Sequence, residues 1–457
     1  MWRTVVSVSA AAVLAGTGTL SAVAAADPAA AGGDQASNAG RLPTGPNGSA
    51  PARTDSGGAD FYQPPSPLPP GRSGDVIRSE PSPLAFALPW TNGQLPGNAT
   101  RLMYRSQDAH GNPIATTGTY FDPTTPSTGP GPRPLVAVAP GTQGQGDQCA
   151  PSKLVNEPFT AKPPGGPMTE YEMSAVDALL ARGYAVVMPD YEGLGTPGVH
   201  TYVNRPSQAH AVLDAARAAE RLPRTQLPPK PRVGLWGYSQ GGGAAAAAAE
   251  LAAPYAPDLD VRGTYSGAPP ADLRETLKQT DGGSLAGVIG YTLNSMSAAY
   301  PKLRPEIQEN TNDAGKQMLR TVADQCVGQT SIQYGFHHTN EYTADGQPLD
   351  TVLDRLPEAQ QVLNENKIGN RKPSAPALVV AGSSDDIVPH GQAEQLAEDW
   401  KAKGAAVTFQ TIPEPPLKFL RSGLVHVVGD VPGLVSGMNF MEQRFSEPGP
   451  GQQQPAR

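Results

Sequence analysis

The chain has little cysteine, with two in 457 residues, so at most one disulfide can form within it. It has no CxxC and no HExxH, and two cysteines with seven histidines cannot build the familiar structural or catalytic zinc sites. We therefore expect no metal and no cofactor. It also lacks a Lys/Arg run: 34 basic against 42 acidic residues leave a net charge of −8, which offers no footprint for a nucleic-acid backbone. Beyond the first 26 residues nothing approaches the roughly 18–20 consecutive apolar residues that a spanning helix needs. Glycine and proline are abundant instead, 51 and 50 residues, without the three-residue period of collagen, so the excess belongs to tails and loops. The length allows two or three domains, or one large domain carrying an insertion.

Residues 1–26 show one positive charge at Arg3, an apolar stretch Val5–Val23 and then Ala24, Ala25 and Ala26 before Asp27. This is the pattern of a secretory signal peptide cleaved near Ala24–Ala26, and it predicts an exported mature chain without a transmembrane segment. Residues 27–70 are rich in Gly, Ala, Pro, Ser, Asp and Asn, which predicts a disordered leader, with Phe61 and Tyr62 beginning to dock on the folded domain. Residues 447–457 read as a flexible tail.

Between these ends, short apolar runs alternate with helical patterns. Leu135–Ala139, Ala185–Met188, Val233–Trp236, Ala377–Ala381 and Val407–Ile412 read as strands. Most are continuously apolar, as in a parallel sheet covered on both faces. Helices are predicted over Tyr171–Ala181, Ser207–Leu222 with Ser207 as N-cap, Gly241–Ala252 and Gln392–Lys401, with a last helical pattern from Pro432. The alternation predicts an α/β fold with a mostly parallel central sheet. Leu102–Arg105 and Thr116–Phe121 flank a turn-like His110–Pro113 and predict an antiparallel hairpin at one edge. Residues 268–370 contain helical segments and no convincing buried strand. They read as a helical cap or lid inserted into a core of 71–267 and 371–446.

The strand Val233–Trp236 runs into Gly237-Tyr238-Ser239-Gln240-Gly241 and then into an alanine-rich helix. G-x-S-x-G between a strand and a helix is the nucleophile-elbow context: the serine sits on a sharp turn whose neighbours two positions away must lack side chains. Ser239 is the candidate nucleophile and needs a base oriented by an acid, in the order Ser, Asp or Glu, His. Asp385 follows the strand Ala377–Ala381 and is the candidate acid, with Asp386 as alternative. Only His390 and His426 come after this loop. His390 is too close to the acid loop and reads as a helix-start or surface residue, leaving His426 as the base, on a loop beyond the last strand. His210 reads as a packed helix residue, and His337 and His338 fall in the insertion. The oxyanion hole needs the N–H of Gln240 and a second donor from Pro140–Asp147, for which Gly144 and Asp147 are the candidates.

Three segments taken together carry a resemblance: Gly141-Thr142-Gln143-Gly144 with Cys149-Ala150-Pro151-Ser152, Gly183–Gly195, and Gly237–Gly242. Over roughly residues 75–445 the chain resembles secretory lipases of the fungal lipase A type and their actinobacterial relatives. The resemblance implies an extracellular α/β-hydrolase acting on triacylglycerols and simpler esters, with Ser239, Asp385 and His426 as triad. It also implies a bridge from Cys149 to Cys326. Fungal relatives carry a further cysteine pair that is missing here, so the region around His426 must be held by other means. A lipid or other ester is the expected substrate, with transient contact at a lipid–water interface. The apolar stretch Leu285–Tyr300 could cover an acyl pocket, meet lipid, or simply pack. A carboxylesterase, a polyester hydrolase, a secreted acyltransferase or a serine peptidase on the same scaffold are the rival enzymes, and a dead hydrolase fold that binds lipid is the noncatalytic rival.

Overall fold

The structure is a computed structural model that describes residues 61–84, 97–157 and 159–447. The expected signal peptide and cleavage site, most of the leader and nearly all of the tail lie outside these residues. At the start of the described chain Phe61 and Tyr62 are buried, and the Tyr62 hydroxyl shares a hydrogen bond of 2.9 Å with Ser152 Oγ.

Nine strands form one sheet among the described residues. They are β1 (Val76–Ser82), β2 (Gly97–Gln107), β3 (Pro113–Pro123), β4 (Leu135–Ala139), β5 (Ala185–Pro189), β6 (Arg232–Tyr238), β7 (Asp260–Gly267), β8 (Ala377–Gly382) and β9 (Val407–Ile412). The spatial order is β1-β2-β3-β5-β4-β6-β7-β8-β9. The first three strands and the β3–β5 pair are antiparallel, and everything from β5 to β9 is parallel. All five expected strands are present, four of them buried and β9 a half-exposed edge, and the hairpin is β2–β3.

The continuously apolar strands fold this way because successive side chains point to opposite faces and both faces are covered. Leu135, Ala137 and Ala139 of β4 share one apolar cluster with Val233, Leu235, Val379 and Trp400; Val136 and Val138 share the other with Trp236, Leu378, Met441 and Phe445. On the first face lie α3 (Arg205–Arg221), α4 (Gln240–Tyr255) and α12 (His390–Ala402), with α2 (Met173–Ala181) and α13 (Leu424–Ser446) on the second. A short α1 (Pro151–Leu154) precedes α2. Each fully buried Leu, Val or Phe contributes about 1.5–3 kcal/mol relative to exposure.

Two elements differ from the sequence expectation. β7 has no apolar run, yet it is a central strand. Its small residues admit helices that rest directly on the backbone: a Cβ at Gly263 would meet Arg444 Cγ at 2.7 Å, and Ser266 Oγ donates to the Gly242 carbonyl at 2.8 Å. The N-cap of α3 is Asn204, not Ser207: its side chain accepts from the Ser207 N–H at 3.1 Å, and Pro206 occupies the first turn, where no N–H is needed.

Seven helices lie between β7 and β8: α5 (Leu273–Thr280), α6 (Val288–Ala299), α7 (Leu303–Asn310), α8 (Asp313–Val322), α9 (Val327–Tyr334), α10 (Leu349–Leu353) and α11 (Pro357–Asn366). This block has an apolar cluster of its own, including Tyr291, Met296, Met318, Val322 and Val362, which reaches Tyr202 and Val203. Cys149 and Cys326 are bonded, with Cα atoms 5.5 Å apart and a sequence separation of 177. Beside the bridge the Val327 N–H donates to the Gln143 carbonyl at 2.8 Å and the Gln145 N–H to the Gln325 carbonyl at 2.9 Å. The helical block is thereby stitched to the loop that follows β4.

Candidate active site

Ser239 stands between β6 and α4 with φ 57° and ψ −126°, a strained conformation for a residue with a side chain. The turn closes only because its flanks are bare. A Cβ at Gly237 would lie 2.1 Å from the Gly241 carbonyl oxygen, and one at Gly241 would lie 2.1 Å from the Ala139 carbonyl oxygen. Gly267 O accepts from Ser239 N–H at 2.9 Å and pins the turn to β7. The side chain is thus lifted from the sheet at the start of a sixteen-residue helix, where the positive end of the helix dipole favours negative charge.

Asp385 and His426 meet directly, the imidazole Nδ1 lying 2.7 Å from Asp385 Oδ2. Asp385 Oδ1 accepts from Ile387 N–H at 2.9 Å and Val388 N–H at 2.8 Å, so one oxygen is fixed by the loop and the other is free to orient the ring. Asp386 does a different job. Its Oδ2 accepts from Gly423 N–H at 2.8 Å and its Oδ1 from His426 N–H at 3.0 Å, closing the N-terminus of α13. His426 lies inside the first turn of this helix rather than on a loop, and Pro432 is internal to it. The helix start escapes the sequence because its cap is Gly423, with φ 77° and no capping side chain of its own, and the capping carboxylate comes from 37 positions upstream. This cap, together with the Tyr238 hydroxyl donating to the His426 carbonyl at 2.7 Å, holds the segment that lacks a second cysteine pair. His390 opens α12, its Nε2 2.9 Å from Thr411 Oγ1.

Ser239 reaches this pair through its neighbour: the Tyr238 ring packs on the imidazole at 5.0 Å between centroids. Among the described residues the Ser239 hydroxyl makes no hydrogen bond to His426.

Burial works against a charge on His426, but Asp385, with Asp386 and Asp430 behind it, outweighs that cost and raises the imidazole pKa above its ordinary value. Asp430, one turn further along α13, is itself pushed up to about 6 by burial. Glu414, whose Oε2 accepts from Ser384 N–H at 3.0 Å, is pushed up to about 7 for the same reason.

An apolar cavity opens at Ser239 and runs into the helical block. Thr142, Ser239 and Gln240 line one end, and Leu285, Ile289 and Met296 line its roof. The structure does not bring the two expected loop donors to this wall. Gly144 is turned into the helical block, bridging to Cys326, and the Asp147 carboxylate accepts from Gly195 N–H at 3.1 Å. Thr142 is there instead. The pairing Ala139↔Gly237 in adjacent strands brings the residues just after β4 level with Ser239, and this register is set by the folded sheet.

Thr142 is clamped. Its hydroxyl shares a hydrogen bond of 2.9 Å with the Tyr202 hydroxyl, its carbonyl accepts from the Tyr171 hydroxyl at 2.8 Å, and the preceding Gly141 N–H donates to Glu172 Oε1 at 2.6 Å. None of the hydrogen bonds among the described residues engages the Thr142 N–H. Burial, with Asp430 nearby, raises the Glu172 carboxyl well above the usual carboxylate range. Neither these clamp residues nor Thr142 was singled out from the sequence; they are ordinary polar residues whose convergence needs three separate loops.

A mostly parallel sheet with a serine elbow after β6, an acid loop after β8 and a histidine on the last helix defines an α/β-hydrolase. Solved structures agree in fold: Candida antarctica lipase A superposes with a TM-score of 0.69 at 24% identity over 85% of this chain and 86% of that one. The rice cell wall degrading esterase LipA of Xanthomonas oryzae superposes at 0.66 and 20% identity, over 82% and 100%. The secretory lipase family matches residues 162–452, and this chain belongs to that family. A Mycobacterium tuberculosis protein described as a probable inactive lipase is 33% identical over 76% of this chain and 75% of its own length. Lipase 2 of Candida albicans is 29% identical over 75% and 73%. The chain is accordingly a hydrolase of the lipase and esterase kind.

Proposed function

We propose that this chain is a secreted serine hydrolase that cleaves lipid esters, triacylglycerols foremost, through an acyl-enzyme on Ser239. The carrying observation is the apolar cavity that ends at Ser239, with the Asp385–His426 pair beside the same elbow. His426 takes the Ser239 proton as the hydroxyl attacks the ester carbonyl, and Asp385 orients the ring and stabilises the imidazolium. The N–H groups of Gln240 and Thr142 receive the oxyanion. Collapse of the tetrahedral adduct expels the alcohol, which takes the proton from His426, and water repeats the sequence on the acyl-enzyme. The absent Ser239–His426 hydrogen bond fits a resting site, since such contacts commonly tighten only with substrate bound. The helical block acts as a cap: its helix α6 turns apolar side chains into the cavity, which suits an acyl chain. Export is supported by the signal-like leader, by the disulfide and by the family's secretory character.

Labelling with a fluorophosphonate tests the assignment: Ser239 should react in the parent and not in Ser239→Ala. An unreactive parent would place this chain beside the relative described as inactive. A series of p-nitrophenyl esters should show kcat/KM rising from acetyl to long acyl chains, because the cavity runs far past the elbow; a flat or falling profile would argue for a short-ester esterase. Parallel assays with an alcohol acceptor separate hydrolysis from acyl transfer.

The pH profile follows from the raised imidazole pKa. His426 serves as base only when neutral, so kcat/KM should fall as pH drops through an apparent pKa above the 6.5 of a free imidazole. A limb centred below 6.5 would contradict the Asp385 coupling.

A further inference from the structure

Three polar side chains close on one short strip of backbone and take no part in the chemistry above: Tyr171, Glu172 and Tyr191. The Tyr191 hydroxyl donates to the Pro140 carbonyl at 2.8 Å, and Glu172 Oε1 accepts from the Gly141 N–H at 2.6 Å. That carbonyl and that N–H are the two ends of a single peptide unit. A peptide is planar, so holding both ends fixes its plane. One unit further on, the Tyr171 hydroxyl donates to the Thr142 carbonyl at 2.8 Å and holds the peptide between Thr142 and Gln143. The unit between the two held ones is different. Neither the Gly141 carbonyl nor the Thr142 N–H has a hydrogen-bond partner among the described residues. This open unit belongs to the wall that Thr142 shares with Ser239 and Gln240.

A glycine on one side gives the open unit wide rotational freedom. Turned over, it would offer its carbonyl, an acceptor, where an oxyanion needs a donor. The grip on both neighbours prevents that turn. The gripping atoms also press on the glycine itself: a Cβ at Gly141 would lie 2.7 Å from the Tyr171 hydroxyl oxygen and 3.0 Å from Glu172 Oε1. Glu172 is anchored in turn, its N–H donating to Glu170 Oε1 at 3.1 Å at the entry to α2. Gly141 and Tyr191 come from two of the three segments that carry the family resemblance, and here they meet.

We propose that Glu172 and Tyr171 are positioning residues, which with Tyr191 keep the Thr142 N–H facing the oxyanion. They touch no substrate and act through the backbone. Burial, and after it Asp430, raises the Glu172 pKa, the direction that keeps negative charge from building up beside a developing oxyanion. The inference rests on the Ser239 hydrolase reading and adds to it what fixes the second donor.

The test uses the full-length mature protein with Tyr171→Phe, which removes one hydroxyl, Glu172→Ala, which removes the acceptor, and Glu172→Gln, which keeps a carbonyl oxygen for Gly141. kcat and KM on p-nitrophenyl butyrate are measured beside the Ki of a trifluoromethyl ketone, whose adduct on Ser239 carries the oxyanion. Glu172→Ala should lower kcat by about 10- to 100-fold and Tyr171→Phe by about 3- to 10-fold, with KM within about twofold of the parent. The Ki should rise by the factor by which kcat falls, and Glu172→Gln should stay within about threefold of the parent on both measures. Partial unfolding, by contrast, would lower the active fraction and leave Ki unchanged. Parental kcat and Ki in Tyr171→Phe and Glu172→Ala overturn the proposal, as does a loss confined to KM or a Gln variant as impaired as the Ala variant. If Glu172→Ala does not fold, Tyr171→Phe decides alone. Amide hydrogen exchange over residues 139–145 needs no turnover: it should quicken in Tyr171→Phe, and exchange equal to the parent's overturns the grip. A parent inert to esters and to fluorophosphonate that still shows this exchange difference would remove the Ser239 reading and leave the grip standing.

Discussion

Replacing Ser239 with Ala is expected to lower kcat on p-nitrophenyl butyrate by about 10⁴-fold or more while leaving the thermal midpoint near that of the parent. The size of the loss follows from how the group works. Once the nucleophile is gone, the acid–base pair has no proton to move, and only the oxyanion donors and substrate binding remain. The small effect on stability follows from geometry: the Ser239 backbone, not its hydroxyl, makes the bonds to Gly267 and Gly243 that hold the elbow. Relief of the serine's positive φ is not available to alanine, so the strain of the turn stays. Residual hydrolysis close to parental values in purified Ser239→Ala protein would remove Ser239 from the chemistry.

The two adjacent carboxylates give the second large effect. Asp385→Asn keeps a carbonyl oxygen for the Ile387 and Val388 amides, so the loop should stand, while the ring loses its negative partner and can settle in the wrong tautomer. Turnover should fall by about 10⁴-fold. The acid limb of whatever activity remains should move to lower pH, because the charge that offsets burial of His426 is gone. Asp386→Ala should behave in the opposite way. It removes the acceptor for Gly423 and His426 amides at the start of α13 and should cost about 1–2 kcal/mol of stability, with a much smaller loss of turnover. Comparing kcat with thermal midpoint for the two variants separates the roles, and an exchange of the two phenotypes would reverse the assignment of acid and cap.

Much of this was legible before any coordinates. Four of the five predicted strands announce themselves because a parallel strand covered on both faces must be apolar throughout, and the elbow because only glycine fits around it. What could not be read is equally physical. β7 hides because helices rest closely on it, the Arg444 and Phe440 side chains at Gly263 and the Gly242 backbone at Ser266 and Gly267, so small residues stand where the pattern asks for Val and Ile. The beginning of α13 hides because its cap is a distant aspartate. In the loop after β4, Gly144 and Asp147 are the expected positions, and the structure puts Thr142 at the cavity wall in their stead. Gly144 and Asp147 have the right chemistry for backbone approach, whereas Thr142 is selected by the alignment of β4 against β6, a long-range pairing that local spacing does not encode.

The stitching of residues 143–145 to residues 325–327 has a practical corollary for anyone making this enzyme. The residues that lead to the Cys149 end of the bridge follow directly on Thr142, so a host compartment that keeps thiols reduced should deliver protein in which Ser239, Asp385 and His426 keep their places while Thr142, the donor proposed above, loses its fixed position. Such a preparation would take up a fluorophosphonate sluggishly and look like a poor catalyst with nothing missing, and oxidation in the tube, without any change of sequence, should restore it.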